Sequence, residues 1–97
     1  MAEMGIVSKL TVKPGWEKRF EERFAEQAAN CKALEPGQLL YKLFKSRTEP
    51  GIYHIMAIYR SPEDHQKHFH SEHLKKTIEG TRECFAAPSQ PMLLDAV

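Results

Sequence analysis

The stretch from Ile52 to Arg60 (IYHIMAIYR) has the residue types of a β-strand, yet it is apolar on both of its faces. Tyr53, Ile55, Ala57 and Tyr59 point one way, while Met56 and Ile58, beside His54, point the other. The preceding run Gln38 to Ser46 (QLLYKLFKS) repeats the pattern, with Leu39, Tyr41 and Leu43 set against Leu40 and Phe44. An antiparallel sheet with one solvated face should alternate apolar with polar residues, and these strands do not. Any fold built from them must cover the sheet twice.

The rest of the chain supplies one cover. Ile6 to Val12 (IVSKLTV) reads as a strand that stops at Pro14-Gly15. From Trp16 the apolar residues recur at helical spacing (Trp16, Phe20, Phe24, Ala28, Cys31), with Glu17, Lys18, Glu21, Glu22 and Glu26 on the opposite side. That pattern predicts an amphipathic helix ending before Pro36-Gly37. Arg47 to Gly51 is a polar turn between two antiparallel strands. A second helical region follows Ser61, breaks near His70-Ser71, and continues through Leu74, Ile78 and Phe85. Met92 to Val97 (MLLDAV) closes as a short strand. The order β-α-β-β-α-β predicts an α+β, ferredoxin-like sandwich: a four-stranded antiparallel sheet with helices on one face.

Both helices fall on one side, so the other face needs a different cover. Ninety-seven residues make a single domain, 1–97, too short for a second core. An aromatic patch left in water marks a contact surface. A second copy of the chain is the expected partner, because two-fold homodimers dominate symmetric assemblies. The space between sheet and helices would suit a small apolar ligand.

Other classes are disfavoured. A net charge of +1 with both signs interspersed gives no electrostatic footprint for nucleic acid. No apolar run reaches the roughly 18 residues of a membrane span, and MAEMG lacks the layout of a signal peptide, so the expected compartment is the cytoplasm. Cys31 and Cys84 have no metal-ligand spacing and read as free, buried thiols without an evident histidine partner. Neither a nucleophile elbow nor a glycine-rich phosphate loop occurs.

Chemistry concentrates in Tyr59 to His73, which holds four of the five histidines: His65, His68, His70 and His73. Ser61-Pro62-Glu63-Asp64 has the form of a helix start. A helix would thus deliver imidazoles, able to move protons near neutral pH, against a sheet. His65 and His68 could share a helical face as metal ligands, with His73 a turn and more beyond, but no carboxylate at fixed spacing completes a recognised site, and no metal is expected. His70 is expected in solvent.

Three stretches resemble the antibiotic biosynthesis monooxygenase (ABM) family of small dimeric α+β-barrel proteins, which includes quinol monooxygenases. Val7 to Gly15 matches the family's opening strand and Lys-Pro-Gly turn. Glu35-Pro36-Gly37-Gln38-Leu39-Leu40-Tyr41 matches its turn into the second strand. Tyr59-Arg60-Ser61-Pro62-Glu63, followed by His68, Ser71 and His73, matches its aromatic-x-Ser-x-Glu and His-x-x-Ser-x-His elements. The chain departs from the family pattern at Ala57, often Glu, at Tyr59, often Trp, and at His65, usually small or apolar. Ser8 and His68 stand where a haem-degrading branch has Asn and Trp, which disfavours haem cleavage.

The resemblance implies a dimeric barrel and a monooxygenase without cofactor, acting with O₂ on a small aromatic or quinol substrate. It implies His68 as the proton acceptor with His73 in support, and Tyr59, Tyr53 and Ser8 against the substrate. Two other readings stay open. One is an isomerase that shuttles a proton on a small oxygenated carbonyl compound, and the other is a dimer that binds a small apolar molecule without turnover.

Overall fold

A computed structural model describes residues 3–97, so the first two residues of the MAEMG opening lie outside it. Four strands and three α-helices follow in chain order: β1 (Met4–Thr11), α1 (Glu17–Leu34), β2 (Gln38–Lys45), β3 (Ile52–Tyr59), α2 (Pro62–Phe69), α3 (Glu72–Thr81) and β4 (Gln90–Asp95). A 3-10 turn, Arg82–Cys84, ends α3. The sheet order is β2-β3-β1-β4, antiparallel throughout, and the βαββαβ ferredoxin-like arrangement expected from the sequence is present.

The register fixes which side chains share a face. Tyr59, Ala57, Ile55 and Tyr53 of β3 lie beside Met4, Ile6, Ser8 and Leu10 of β1, and this is the helix-covered side. Leu10, Val12, Phe20, Tyr53 and Cys84 form its buried core, with Phe20 edge-on to both Tyr53 and Phe85. The opposite face carries Leu40, Ile58 and Leu94 in one row and Met56, Val7 and Met92 in the next. Phe44 is 47% exposed, Met92 54% and Leu94 43%, so among the described residues nothing covers this face. Lys42 stands at the β2 end of the Met56 row, and His54, Lys9 and Gln90 lie beside Phe44 in the row beyond, so the face is less uniformly apolar than the sequence reading held.

Three local differences from the sequence reading have physical causes. The helix expected to run through Phe85 stops at Thr81, because Phe85 leaves it to bridge Val12 and close the core. β4 begins at Gln90, and Pro91 is tolerated because the strand lies at the sheet edge. In β2 the pairing jumps from Gln38↔Tyr59 to Leu40↔Ile58, a bulge that takes Leu39 out of register. Leu39 is therefore 51% exposed, and Gln38 joins Tyr41 and Leu43 on the helix side. Bulges re-aim side chains in this way.

The joint between β3 and α2 is tightly determined. The Ser61 hydroxyl accepts from the Asp64 amide, and Pro62 occupies the first turn, a cap worth about 1 kcal/mol. Asp64 accepts from Arg60 Nε at 3.0 Å and from the Ser61 hydroxyl at 2.9 Å. Gly37 lies directly against this carboxylate, and a β-carbon there would occupy the same space. Asp64 cannot swing aside without losing Arg60 and Ser61. Gly37→Ala should therefore cost about 1–3 kcal/mol, the range for overpacking. Urea denaturation should show a lowered midpoint with an unchanged slope.

Candidate active site

Two breaks in helix geometry build the site. α1 ends at Leu34, and Glu35 is its C-terminal cap, its amide donating to the Cys31 carbonyl at 2.8 Å. An uninterrupted helix would set His68 and His73 about 140° apart around its axis. The chain instead breaks at His70, and Ser71 caps α3 by accepting from the Leu74 amide while its hydroxyl donates to the His68 carbonyl at 2.7 Å. The break turns His73 back toward α1.

Both imidazoles then meet one carboxylate. His68 Nδ1 donates to Glu35 at 2.9 Å, and His73 Nε2 donates to the same oxygen in a very short contact. Cys31 Sγ lies 3.8 Å from His68 Nδ1 and 3.8 Å from His73 Nε2. The expectation that neither cysteine has a histidine neighbour fails for Cys31, because the α2–α3 break supplies two from more than thirty residues away. Both cysteines are free and buried, as the sequence suggested.

Burial raises the Glu35 carboxyl, but the hydrogen bonds from His68 and His73 and the charge on His68 more than offset it, so it stays below the usual carboxylate range. Burial, then the charge of Glu35, pushes the Cys31 thiol up to about 12. Tyr59 is also raised, chiefly by burial. Gln38, turned inward by the bulge, donates to the Tyr59 hydroxyl at 3.0 Å, which leaves that hydroxyl its own proton to give. His65 is held below its usual value by burial and by the neighbouring His68.

This cluster abuts a cavity of about 650 Å³ between the helix-side sheet face and the helices. Ile6, Leu10, Phe24, Ile55 and Phe69 give it apolar walls, and residues 86–89 follow one rim. Ala57 and Ser8, small residues in the middle strands, leave room for it. Its volume suits a small organic molecule.

Ser8, Tyr59 and His68 lie on the cavity wall, and His65 joins them, its ring 5.1 Å from that of Tyr59. His73, its ring 6.3 Å from that of His68, does not line this cavity and instead lines a separate groove with Arg23 and Glu26. His70 is exposed. Tyr53 is not part of the cavity wall. It shares the sheet face with Tyr59 but lies six residues along the strand, about 20 Å away, where its hydroxyl donates to Glu21 and its ring packs on Phe20.

Sequence reasoning missed Cys31, Glu35, Gln27 and Gln38. Gln27 is 1% exposed on a helix face that reads as apolar, and its carbonyl oxygen accepts from Thr77 at 2.7 Å. One signal was available for Glu35: an acid at a helix C-terminus opposes the dipole and needs a local reason.

Acid should loosen this site in a definite order. His65 has a depressed value in the fold, so below about 6.5 the unfolded chain binds a proton that the native one resists. Stability should therefore begin to fall as pH drops below about 6.5. Glu35 and Asp64 are both depressed, so their contributions are present above about 4 and vanish as pH falls through their native values. Melting temperature followed from pH 7.5 downward should show both phases, and His65→Phe should flatten the first.

The fold has known relatives. The family model for antibiotic biosynthesis monooxygenases matches residues 4–80. A protein of Caulobacter crescentus, provisionally named as such a monooxygenase, is 33% identical with a TM-score of 0.97, covering 99% of this chain and 91% of its own. A Nitrosomonas europaea protein with the same provisional name superposes at a TM-score of 0.92 and 16% identity, over 98% and 90% of the two chains. SnoaB of Streptomyces nogalater, a cofactor-independent oxygenase solved as a mutant, shares the fold at 0.83 and 23% identity, over 97% and 92%. No curated protein matches significantly. With the match spanning most of its length, the chain belongs to the antibiotic biosynthesis monooxygenase family.

Proposed function

We propose that the chain is a cofactor-independent monooxygenase acting with O₂ on a small phenol- or quinol-type substrate. The observation that carries this reading is His68: its Nδ1 is held by Glu35, and its ring forms part of the wall of an apolar cavity. A carboxylate on Nδ1–H fixes the tautomer in which Nε2 is the proton acceptor and stabilises the imidazolium that forms. Family membership supports the reaction class, and the cofactor-independent oxygenase among the structural relatives supports the absence of flavin or haem.

The chemistry then needs few groups. His68 Nε2 takes the substrate hydroxyl proton, and the resonance-stabilised anion gives electrons to O₂. A bond forms between one oxygen atom and the ring carbon. The O–O bond breaks as that carbon loses its hydrogen, one oxygen stays as the new quinone carbonyl, and the other leaves as water. Phenol plus O₂ gives quinone plus water, so no external reductant is consumed. The Tyr59 hydroxyl, kept protonated and oriented by Gln38, hydrogen-bonds the developing oxyanion. Ser8 contacts the substrate from the cavity floor, and His73 steadies Glu35 from behind.

Oxygen uptake with a panel of hydroquinones and naphthols tests this. Turnover should exceed the blank, and His68→Gln should lower it about 10²–10⁴-fold, the usual worth of a positioned base. Tyr53→Phe, at the other end of the sheet, should leave it unchanged. Product formation that persists without O₂ would instead favour the isomerase.

The same reading includes a homodimer built on the open sheet face. Leu40, Ile58, Leu94, Met56, Val7 and Met92 form two adjoining apolar rows, a patch that a second copy would bury. Ultracentrifugation at micromolar concentration should give twice the chain mass. Met56→Lys, at the centre of the patch, should weaken association at least tenfold, while a compact wild-type monomer would contradict the dimer.

A further inference from the structure

Four different donor atoms converge where α1 ends and α2 breaks into α3. Cys31 Sγ, a Glu35 carboxylate oxygen, His68 Nδ1 and His73 Nε2 all lie within 4.8 Å of one another. The side chains of Glu35, His68 and His73 are 10%, 9% and 13% exposed, and Cys31 is 1% exposed. Ligands at zinc bond lengths of about 2.0–2.3 Å stand about 3.3–3.6 Å apart at the corners of a tetrahedron. The two sulfur–nitrogen separations of 3.8 Å need to close by only a few tenths of an ångström. The carboxylate oxygen, 2.9 Å from His68 Nδ1 and closer still to His73 Nε2, needs to draw back by up to about an ångström.

The donor chemistry is selective. One thiolate and one carboxylate cancel a divalent charge, which matters in a site this dry. A set of one sulfur, two imidazoles and one oxygen suits zinc and its neighbours and not magnesium or calcium. We propose that Cys31, Glu35, His68 and His73 form a closed four-ligand site for a single zinc-type ion. This departs from the sequence expectation of no metal, which weighed His65 and His68 with His73 beyond them. His65 packs on Tyr59 instead, and the missing ligands come from α1.

Loading the site moves protons. The Cys31 thiol loses its proton to solvent and becomes the sulfur ligand. The protons on His68 Nδ1 and His73 Nε2 leave those nitrogens, and each metal-bound ring carries its one proton on the other nitrogen, Nε2 in His68 and Nδ1 in His73. His68 then offers an N–H to the cavity and can no longer accept a proton there. Given the base role proposed above, an occupied site holds the enzyme off, and removal of the ion turns it on.

The test uses untagged, full-length protein stripped with a chelator. Cobalt(II) titration should produce a thiolate-to-cobalt charge-transfer band in the near ultraviolet that saturates at one ion per chain, and zinc should displace it. Zinc should also raise the melting temperature. Cys31→Ser should abolish the band and weaken zinc binding at least tenfold. Absence of both the band and the zinc-dependent stabilisation in folded wild type would overturn the site and leave the four groups as a hydrogen-bond network. A band that survives Cys31→Ser would overturn it as well. The cobalt readout on wild type stands even if that variant does not fold. Zinc should inhibit oxygen uptake in step with occupancy, whereas zinc bound at full turnover would refute the switch and the base role of His68 while leaving the site intact.

Discussion

One carboxylate holds the functional end of this molecule together. Glu35 caps α1, and two histidines from either side of the α2–α3 break hydrogen-bond to it. An acid at that position is unfavourable to the helix alone, since it adds negative charge to the negative end of the dipole. It is tolerated because His68 and His73 donate to it, and they can do so only because Ser71 restarts the helix in a new direction. Three elements thus meet at one side chain. Loss of its charge would release the His68 and His73 rings, while the backbone cap of α1 and the Ser71 cap of α3 would remain.

The cavity depends on a different economy. The helix-side face is dense at the Tyr53 end, where Phe20, Leu10 and Phe85 fill the space, and sparse where Ala57 and Ser8 replace larger residues. The sheet floor is therefore closed at one end and hollow in the middle. Tyr59 and His68 stand on the cavity wall, with Gln38 bonded to Tyr59. Other polar groups, Ser8, Thr81, Arg82 and Ser89 among them, are spread among the apolar walls. In the proposed reaction Tyr59 and His68 would supply hydrogen bonds where charge develops.

How much of this was legible follows from what each feature depends on. Strand and helix order could be read because periodicity and turn residues are local, and so could the helix break, since Ser71 announces its cap. The back face was legible as apolar because β2 and β3 carry the pattern, although Lys42 within β2 and Lys9 on the neighbouring strand temper it. Gln38 was not legible. Its inward direction comes from a bulge at Leu39, and strict alternation assigns Leu39 that place instead. Tyr53 was misjudged for a related reason. A strand pattern gives the face a residue occupies but not its distance along the sheet from the chemistry. Cys31 and Glu35 stayed hidden because nothing within α1 says which histidines it will meet.

Under the two proposals the same local contacts would serve two chemistries that cannot coexist on one ring. Imidazole has two nitrogens, and whatever occupies one decides the protonation of the other. With Glu35 on Nδ1, His68 would keep Nε2 as its basic nitrogen, and the carboxylate would support the positive charge that follows proton uptake. With a cation on Nδ1, positive charge is already present, the second nitrogen keeps its proton, and the ring becomes a donor. Glu35 would belong to both arrangements, first as acceptor and then as ligand, moving by no more than about a bond length between them. Cys31 separates the two. Burial and the adjacent carboxylate keep its thiol protonated and inert beside Glu35, so it adds nothing to proton transfer at His68. A buried thiol beside two imidazoles and a carboxylate gains a chemical role only when a soft cation draws off its proton.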